Sequence, residues 1–288
     1  MTLLLDLRAL PSGGFVATDV AIKDAATGAR ITPAAFQEAT TGRHVVLATH
    51  GFNVDGIDGR DKLLAWDRLS ALPYPRVLVG VLWPGDSRFL PVLDYPIEGA
   101  VALDAGRLLA RFIDDTLAAA ASLSFVSHSL GARTMLEAVL RMKGRAQTLI
   151  LMAGAIEDDC LSREYRAAAA KAVNIHVVAS TQDWVLRFAF PIGNPVGELV
   201  MHGHPYFRAA LGRKGPSRSL PIPVPCERWQ LPDDWDYGHR DYMTTSVNSP
   251  QIAPPLRNPA PGDAKPATAT ADDWKPGWAA GVIATQFP

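Results

Sequence analysis

Cys160 and Cys226 are the only cysteines in 288 residues, too few and too isolated for a disulfide framework or a cysteine-rich zinc site. Neither sign of charge is in excess. Lys and Arg number 28, Asp and Glu 29, the formal net charge is −1, and no basic run stands out. This argues against nucleic acid or an anionic membrane surface as the main partner and favours a neutral or small substrate. No apolar stretch approaches the ~18 residues that a membrane span needs. The start, Met1-Thr2-Leu3-Leu4-Leu5-Asp6-Leu7-Arg8, has no basic n-region and breaks its leucines with charge, so no signal peptide is expected and the chain reads as cytoplasmic. Internal repeats are absent. With 48% hydrophobic and 20% charged residues, the composition excludes disorder, collagen and coiled coil and suffices for a full core.

Leu3, Leu5 and Leu7 alternate with other residues, and after Pro11-Ser12-Gly13-Gly14 the run from Phe15 to Ile22 alternates again. The pattern predicts an antiparallel hairpin. From about residue 44 the grammar changes to short, largely apolar runs: 44–48, 76–82, 123–126, 148–152 and 174–179. Strands buried on both faces look like this. Between them lie amphipathic stretches, the clearest with Val101, Ala105, Leu108, Leu109, Phe112, Ile113 and Leu117 on one stripe and Asp104, Arg107, Arg111 and Asp114 opposite. Alternating strand and helix predict an α/β fold whose mostly parallel sheet carries helices on both faces and binds ligands beyond the carboxyl ends of its strands. One domain is expected over 1–245, with 187–226 as a candidate cap. The Pro- and Ala-rich stretch 246–288 is assigned no secondary structure; its composition favours a mobile tail, while Trp274, Trp278 and Phe287 give it something to pack.

Ser127-His128-Ser129-Leu130-Gly131-Ala132 follows the strand ending at Val126 and precedes a helix with Met135, Leu136, Val139 and Leu140 on its apolar side. Strand, sharp turn, serine and helix describe a nucleophile elbow, in which small neighbours let strand and helix approach while the serine hydroxyl projects into the crevice. Ser127 stands where the usual motif has its first glycine. Ser127 is itself a poor nucleophile, because the residue two places on is Ser129 and not glycine. Upstream, Thr49-His50-Gly51-Phe52-Asn53 ends the first parallel strand. In such an architecture that loop gives one oxyanion donor, here the Phe52 N–H, and the residue after the nucleophile, Leu130, gives the other. His50 is expected to fix its loop by hydrogen bonding to nearby backbone.

His50-Gly51-Phe52-Asn53, Trp83-Pro84, Tyr95 ahead of a helix bearing Asp104, His128-Ser129-Leu130-Gly131 and Leu151-Met152-Ala153-Gly154-Ala155-Ile156 followed by acidic residues together resemble the α/β-hydrolase superfamily. The likeness is to a bacterial branch of unknown function marked by HGFN, WP and HS-M/L-G motifs, and it covers roughly residues 40 to 245. It implies the α/β-hydrolase fold and a triad in the order Ser, acid, His. Ser129 is the implied nucleophile. Asp183, in Thr181-Gln182-Asp183-Trp184 after a strand, is the preferred acid; Glu157, Asp158 and Asp159 are its rivals, with a helix N-terminus as their alternative role. For the base, His239 in Tyr237-Gly238-His239-Arg240-Asp241-Tyr242 follows a last strand around Cys226-Glu227-Arg228-Trp229. His202 and His204 are the runners-up. Their H-x-H spacing invites a metal, but no further ligands accompany it, so neither metal nor cofactor is expected. His44, His128 and His176 are read as structural.

The function expected is hydrolysis of small carboxyl esters through an acyl-enzyme on Ser129, with Trp83, Phe89, Leu90 and Trp184 edging the crevice as weak substrate contacts or, equally, as core. A lipase or amidase on the same residues, or a non-catalytic binding protein that keeps the fold, are the alternatives.

Overall fold

The computed structural model describes residues 2–10, 14–86, 95–188, 190, 208–243, 259–260, 262–263 and 271–287. In chain order its elements are β1 (Leu3–Arg8), β2 (Val16–Asp24), α1 (Pro33–Thr40), β3 (His44–Thr49), α2 (Gly56–Ser70), β4 (Arg76–Leu82), α3 (Tyr95–Thr116), β5 (Ser122–His128), α4 (Gly131–Arg141), β6 (Ala146–Met152), α5 (Arg166–Ala170), β7 (Ala172–Ser180), α6 (184–188), α7 (Leu211–Lys214), β8 (Cys226–Leu231) and α8 (Ala271–Thr285). The strands form one sheet in the order β2-β1-β4-β3-β5-β6-β7-β8. Only β1 and β2 pair antiparallel; every other neighbour pair is parallel. This is the α/β-hydrolase sheet with its N-terminal hairpin.

The five apolar runs are β3 to β7. Val45, Val46, Leu47 and Ala48 of β3 are fully buried on both sides of the strand, as helices on both faces require. Register then brings the strand ends together. Thr49 lies beside Ser127, His128 beside Met152, and Met152 beside Val178. The loops after β3, β5, β6 and β7 therefore emerge along one edge of the sheet, where ligands of such sheets bind.

The tail without secondary structure does not survive as a description of its last part. Residues 271–285 form α8, and Trp274, Trp278, Ile283 and Phe287 are buried against the body. Trp278 sits edge-on among Trp229, Trp235 and Tyr237, with ring centroids 5.7 to 6.1 Å away. Pro276 and two glycines hide this helix from a propensity reading; burial of its aromatics outweighs their cost. Of the candidate cap, residues 189 and 191–207 lie outside the described residues. Within 208–226 three bonds tie the chain to the loop after β6: Asp158 N–H donates to the Ala209 carbonyl, Gly212 N–H to Gly154, and Ser217 N–H to Asp158. No helix among the described residues is long and apolar enough to cross a membrane.

Trp278→Ala should lower the unfolding free energy by about 3–5 kcal/mol, the usual cost of truncating a buried aromatic. Urea denaturation measures it, and a loss below about 1 kcal/mol would show that α8 adds little to the core.

Candidate active site

Ser129 has φ 54°, in the left-handed region that side chains avoid. The turn is held by its backbone: Ser129 N–H donates to Met152 at the end of β6 (3.0 Å), and the Ser129 carbonyl accepts from Ala132 (3.1 Å) and Ala155 (3.2 Å). Two glycines make room. A Cβ on Gly131 would stand 2.4 Å from the His50 carbonyl, and one on Gly51 would stand 2.7 Å from Ser129 Cβ. Ser127, at the first elbow position, is fully buried, and its hydroxyl has no partner among the described residues.

Opposite Ser129 stands His239. Its Nε2 is 2.8 Å from Ser129 Oγ and its Nδ1 is 2.7 Å from Asp183 Oδ2. A carboxylate only accepts, so Nδ1 carries the proton, and Nε2 faces the serine hydroxyl as acceptor. Asp183 is wholly buried. Its other oxygen accepts the Leu186 N–H at 2.9 Å, so the side chain caps α6 while it orients the imidazole. Two of the rival acids are paired elsewhere among the described residues. Glu157 pairs with buried Arg133, and Asp159 with Arg163 and Arg208. Asp159 stands at the N-cap of the 3-10 turn Cys160–Ser162, the place expected of it as an alternative, without a side-chain cap bond. His202 and His204 lie outside the described residues.

Among the described residues the Phe52 and Leu130 N–H groups have no hydrogen-bond partner. Both flank Ser129 in sequence or through the Gly51 contact. Of the two roles expected for Trp83, its surroundings fit the core one: it is fully buried, its indole N–H donates to the His50 carbonyl at 3.0 Å, and its ring stacks on the His50 imidazole. It braces the loop after β3. Phe89 and Leu90 lie outside the described residues. Trp184 is largely exposed on α6 and stacks on Phe188, centroids 5.1 Å apart. His44 bonds Ser122, and His176 Nδ1 lies 3.2 Å from a Glu227 carboxylate oxygen, both within the sheet. His128 does more than pack: its Nε2–H donates to the His239 carbonyl at 2.7 Å. The pair HS in the motif carries no hint of that bond, because its acceptor lies 111 residues away.

The profile of the family described as "Alpha/beta hydrolase of unknown function (DUF900)" matches residues 31–216. The chain belongs to this family. No curated protein matches it. Among solved structures it is similar to an uncharacterized protein from Bacillus cereus ATCC 10987 (16% identity, 69% of this chain, 55% of that one, TM-score 0.39), so it spans about half of that protein's length. It is also similar to esterase PE8 (19%, 69% and 86%, 0.38) and to acetyl xylan esterase 1 from Thermoanaerobacterium sp. JW/SL YS485 (14%, 83% and 82%, 0.41).

Two buried imidazoles brace this α/β hydrolase site and both are held uncharged. Burial pushes His50 down to about 4, although its Nδ1–H donates to the Gly51 carbonyl at 2.8 Å. Burial, with the nearby His239 ring, pushes His128 well below the ordinary imidazole range. A native state that binds fewer protons than the unfolded chain gains stability as pH rises. The stabilisation from His50 is therefore complete above its ordinary value of 6.5 and is lost as pH falls toward 4, by on the order of 3 kcal/mol. Urea unfolding at pH 7 and pH 4.5 should show the drop, and His50→Gln should make it shallower. An unchanged pH slope in that variant would exclude His50 as a source.

Proposed function

We propose that the protein is a serine hydrolase that cleaves carboxyl esters through an acyl-enzyme, with Ser129 as nucleophile, His239 as general base and acid, and Asp183 as the group that orients the imidazole. The observation that carries this reading is the unbroken relay of 2.8 and 2.7 Å contacts from Ser129 Oγ through both nitrogens of His239 to Asp183. A serine hydroxyl is a weak nucleophile on its own and is activated when an adjacent base takes its proton. Strain at Ser129 supports the same reading, because left-handed backbone at a non-glycine residue is kept where function needs it.

In the acylation step Ser129 Oγ attacks the ester carbonyl carbon as its proton passes to His239 Nε2. Asp183 stabilises the imidazolium so formed. The carbonyl oxygen becomes an oxyanion, and the unpartnered N–H groups of Phe52 and Leu130 are the donors assigned to it. Each such donor is typically worth ~2.7–4 kcal/mol in the transition state. Collapse breaks the carbon–oxygen ester bond, the leaving alkoxide takes the proton from His239 Nε2, and an acyl group remains on Oγ. Water then attacks the acyl carbon and gives its proton to the same nitrogen, and as the acid leaves that proton returns to Ser129 Oγ. Every step uses groups of this chain and water alone.

Carboxyl esters are preferred over amides because an alkoxide leaves the tetrahedral intermediate more readily than an amine nitrogen does. Trp184, beside Asp183 and exposed, is the apolar contact retained for the acyl or alcohol part.

Ser129→Ala should abolish fluorophosphonate labelling and cut p-nitrophenyl butyrate hydrolysis by ~10⁴-fold or more. Asp183→Asn should leave the fold intact and cost about 10⁴-fold in kcat, because the wrong tautomer of His239 then faces the serine. Equal labelling of wild type and Ser129→Ala would remove Ser129 from the role of nucleophile.

A further inference from the structure

His239 has to be held as well as aimed. It occupies the first central position of a turn from Gly238 to Asp241, closed twice: Asp241 N–H donates to the Gly238 carbonyl (3.2 Å), and Gly238 N–H donates to Asp241 Oδ2 (2.7 Å). That same carboxylate oxygen accepts from Lys275 Nζ at 2.7 Å. Lys275 belongs to α8, and its Nζ also donates to the Asp236 carbonyl at 2.5 Å. In return, the Tyr237 hydroxyl donates to the Lys275 carbonyl. One residue of the C-terminal helix thus grips the chain on both sides of His239, with its ammonium 5.9 Å from the centre of the Tyr237 ring.

The grip is partly shielded from water, the Lys275 side chain being 13% exposed. Removing the ammonium takes the cation from Asp241 Oδ2 and the Asp236 carbonyl, both of which water can reach, so what is lost is the tie between α8 and the turn and not a buried partner. None of these contacts involves Ser129, the Phe52 or Leu130 N–H groups, or Trp184. Their loss alters the position of His239 and leaves the elbow, the oxyanion donors and Trp184 alone. Proton transfer across 2.8 Å is sensitive to such a shift: a misplacement of about 1 Å can cost ~100-fold in rate.

We propose that Lys275 and Asp241 are positioning residues for His239, so that α8, beyond the 31–216 span of the family match, is a working part of the hydrolytic site. The proposal rests on Ser129, His239 and Asp183 acting as assigned above.

The test compares full-length Lys275→Met, Asp241→Ala and their double variant with Val282→Ala, which trims a buried side chain of the same helix away from the turn. Folding is followed by circular dichroism and thermal unfolding, and function by kcat and KM for p-nitrophenyl butyrate and the rate of fluorophosphonate labelling at Ser129. Lys275→Met and Asp241→Ala should each lower kcat and the labelling rate about 10- to 100-fold, with KM unchanged within about twofold. The double variant should be no slower than the slower single by more than about twofold, as expected of groups acting as one unit. Val282→Ala should melt earlier yet turn over at the wild-type rate. Wild-type rates in a folded Lys275→Met or Asp241→Ala protein would overturn the proposal, and so would an equal loss in Val282→Ala. A wild-type protein that the probe does not label would overturn the proposed function itself, and this proposal with it.

Discussion

The backbone at Ser129 is the constraint on which the site depends. A non-glycine residue at φ 54° costs on the order of 1–3 kcal/mol, and it persists only where its surroundings over-determine it. Here the surroundings are the sheet itself. The Met152 carbonyl at the end of β6 holds the Ser129 N–H, Ala155 binds the Ser129 carbonyl, and α4 starts at Gly131 because nothing larger fits against the His50 carbonyl. Parallel register between β5 and β6 is what brings Met152 alongside His128 in the first place. A slip by one residue would exchange inward and outward side chains and remove the turn's anchor.

Around that turn the remaining groups arrive from separate loops and are tied to one another by bonds with few alternatives. Asp183 serves as helix cap and as partner of His239 with its two oxygens. Trp83 supports the loop after β3 through the His50 carbonyl. Trp66 of α2 donates to the Tyr242 carbonyl at 2.7 Å, which ties the His239 loop to the helix that follows β3. His128 and Ser129, adjacent in sequence, bond the main chain and the ring of His239 respectively. The spacing between strand β5 and the imidazole is therefore set at two points.

What could be read from the residues alone was whatever local pattern encodes. Continuous apolar runs marked β3 to β7, and Ser-x-Gly between a strand and a helix marked the turn at Ser129. The choice of His239 over His202 and His204 rested on its place after the last strand, and its ring does lie beside Ser129. Long-range pairings were not legible. Trp83 was open between pocket and core because a tryptophan after a strand end does not say which way it points; its N–H donates to the His50 carbonyl and its side chain is buried. Helix α8 was hidden by Pro276, Gly277 and Gly281, whose local preferences oppose a helix. Its formation depends on aromatic partners on β8 and in the loop beyond it, contacts that no window of sequence contains.

The order of strands has a further consequence at the two margins of the sheet. Among the described residues β2 and β8 are the outermost strands of the sheet, with β2 bridged at Lys23–Arg30, and such margins are the kind of template on which another chain can assemble. Both are protected by their side chains. Asp19 is exposed on β2, and Glu227 and Arg228 are exposed on β8, so an incoming strand would have to strip water from charge to hydrogen-bond there. The sheet is thereby discouraged from growing sideways into an aggregate while its apolar interior remains covered.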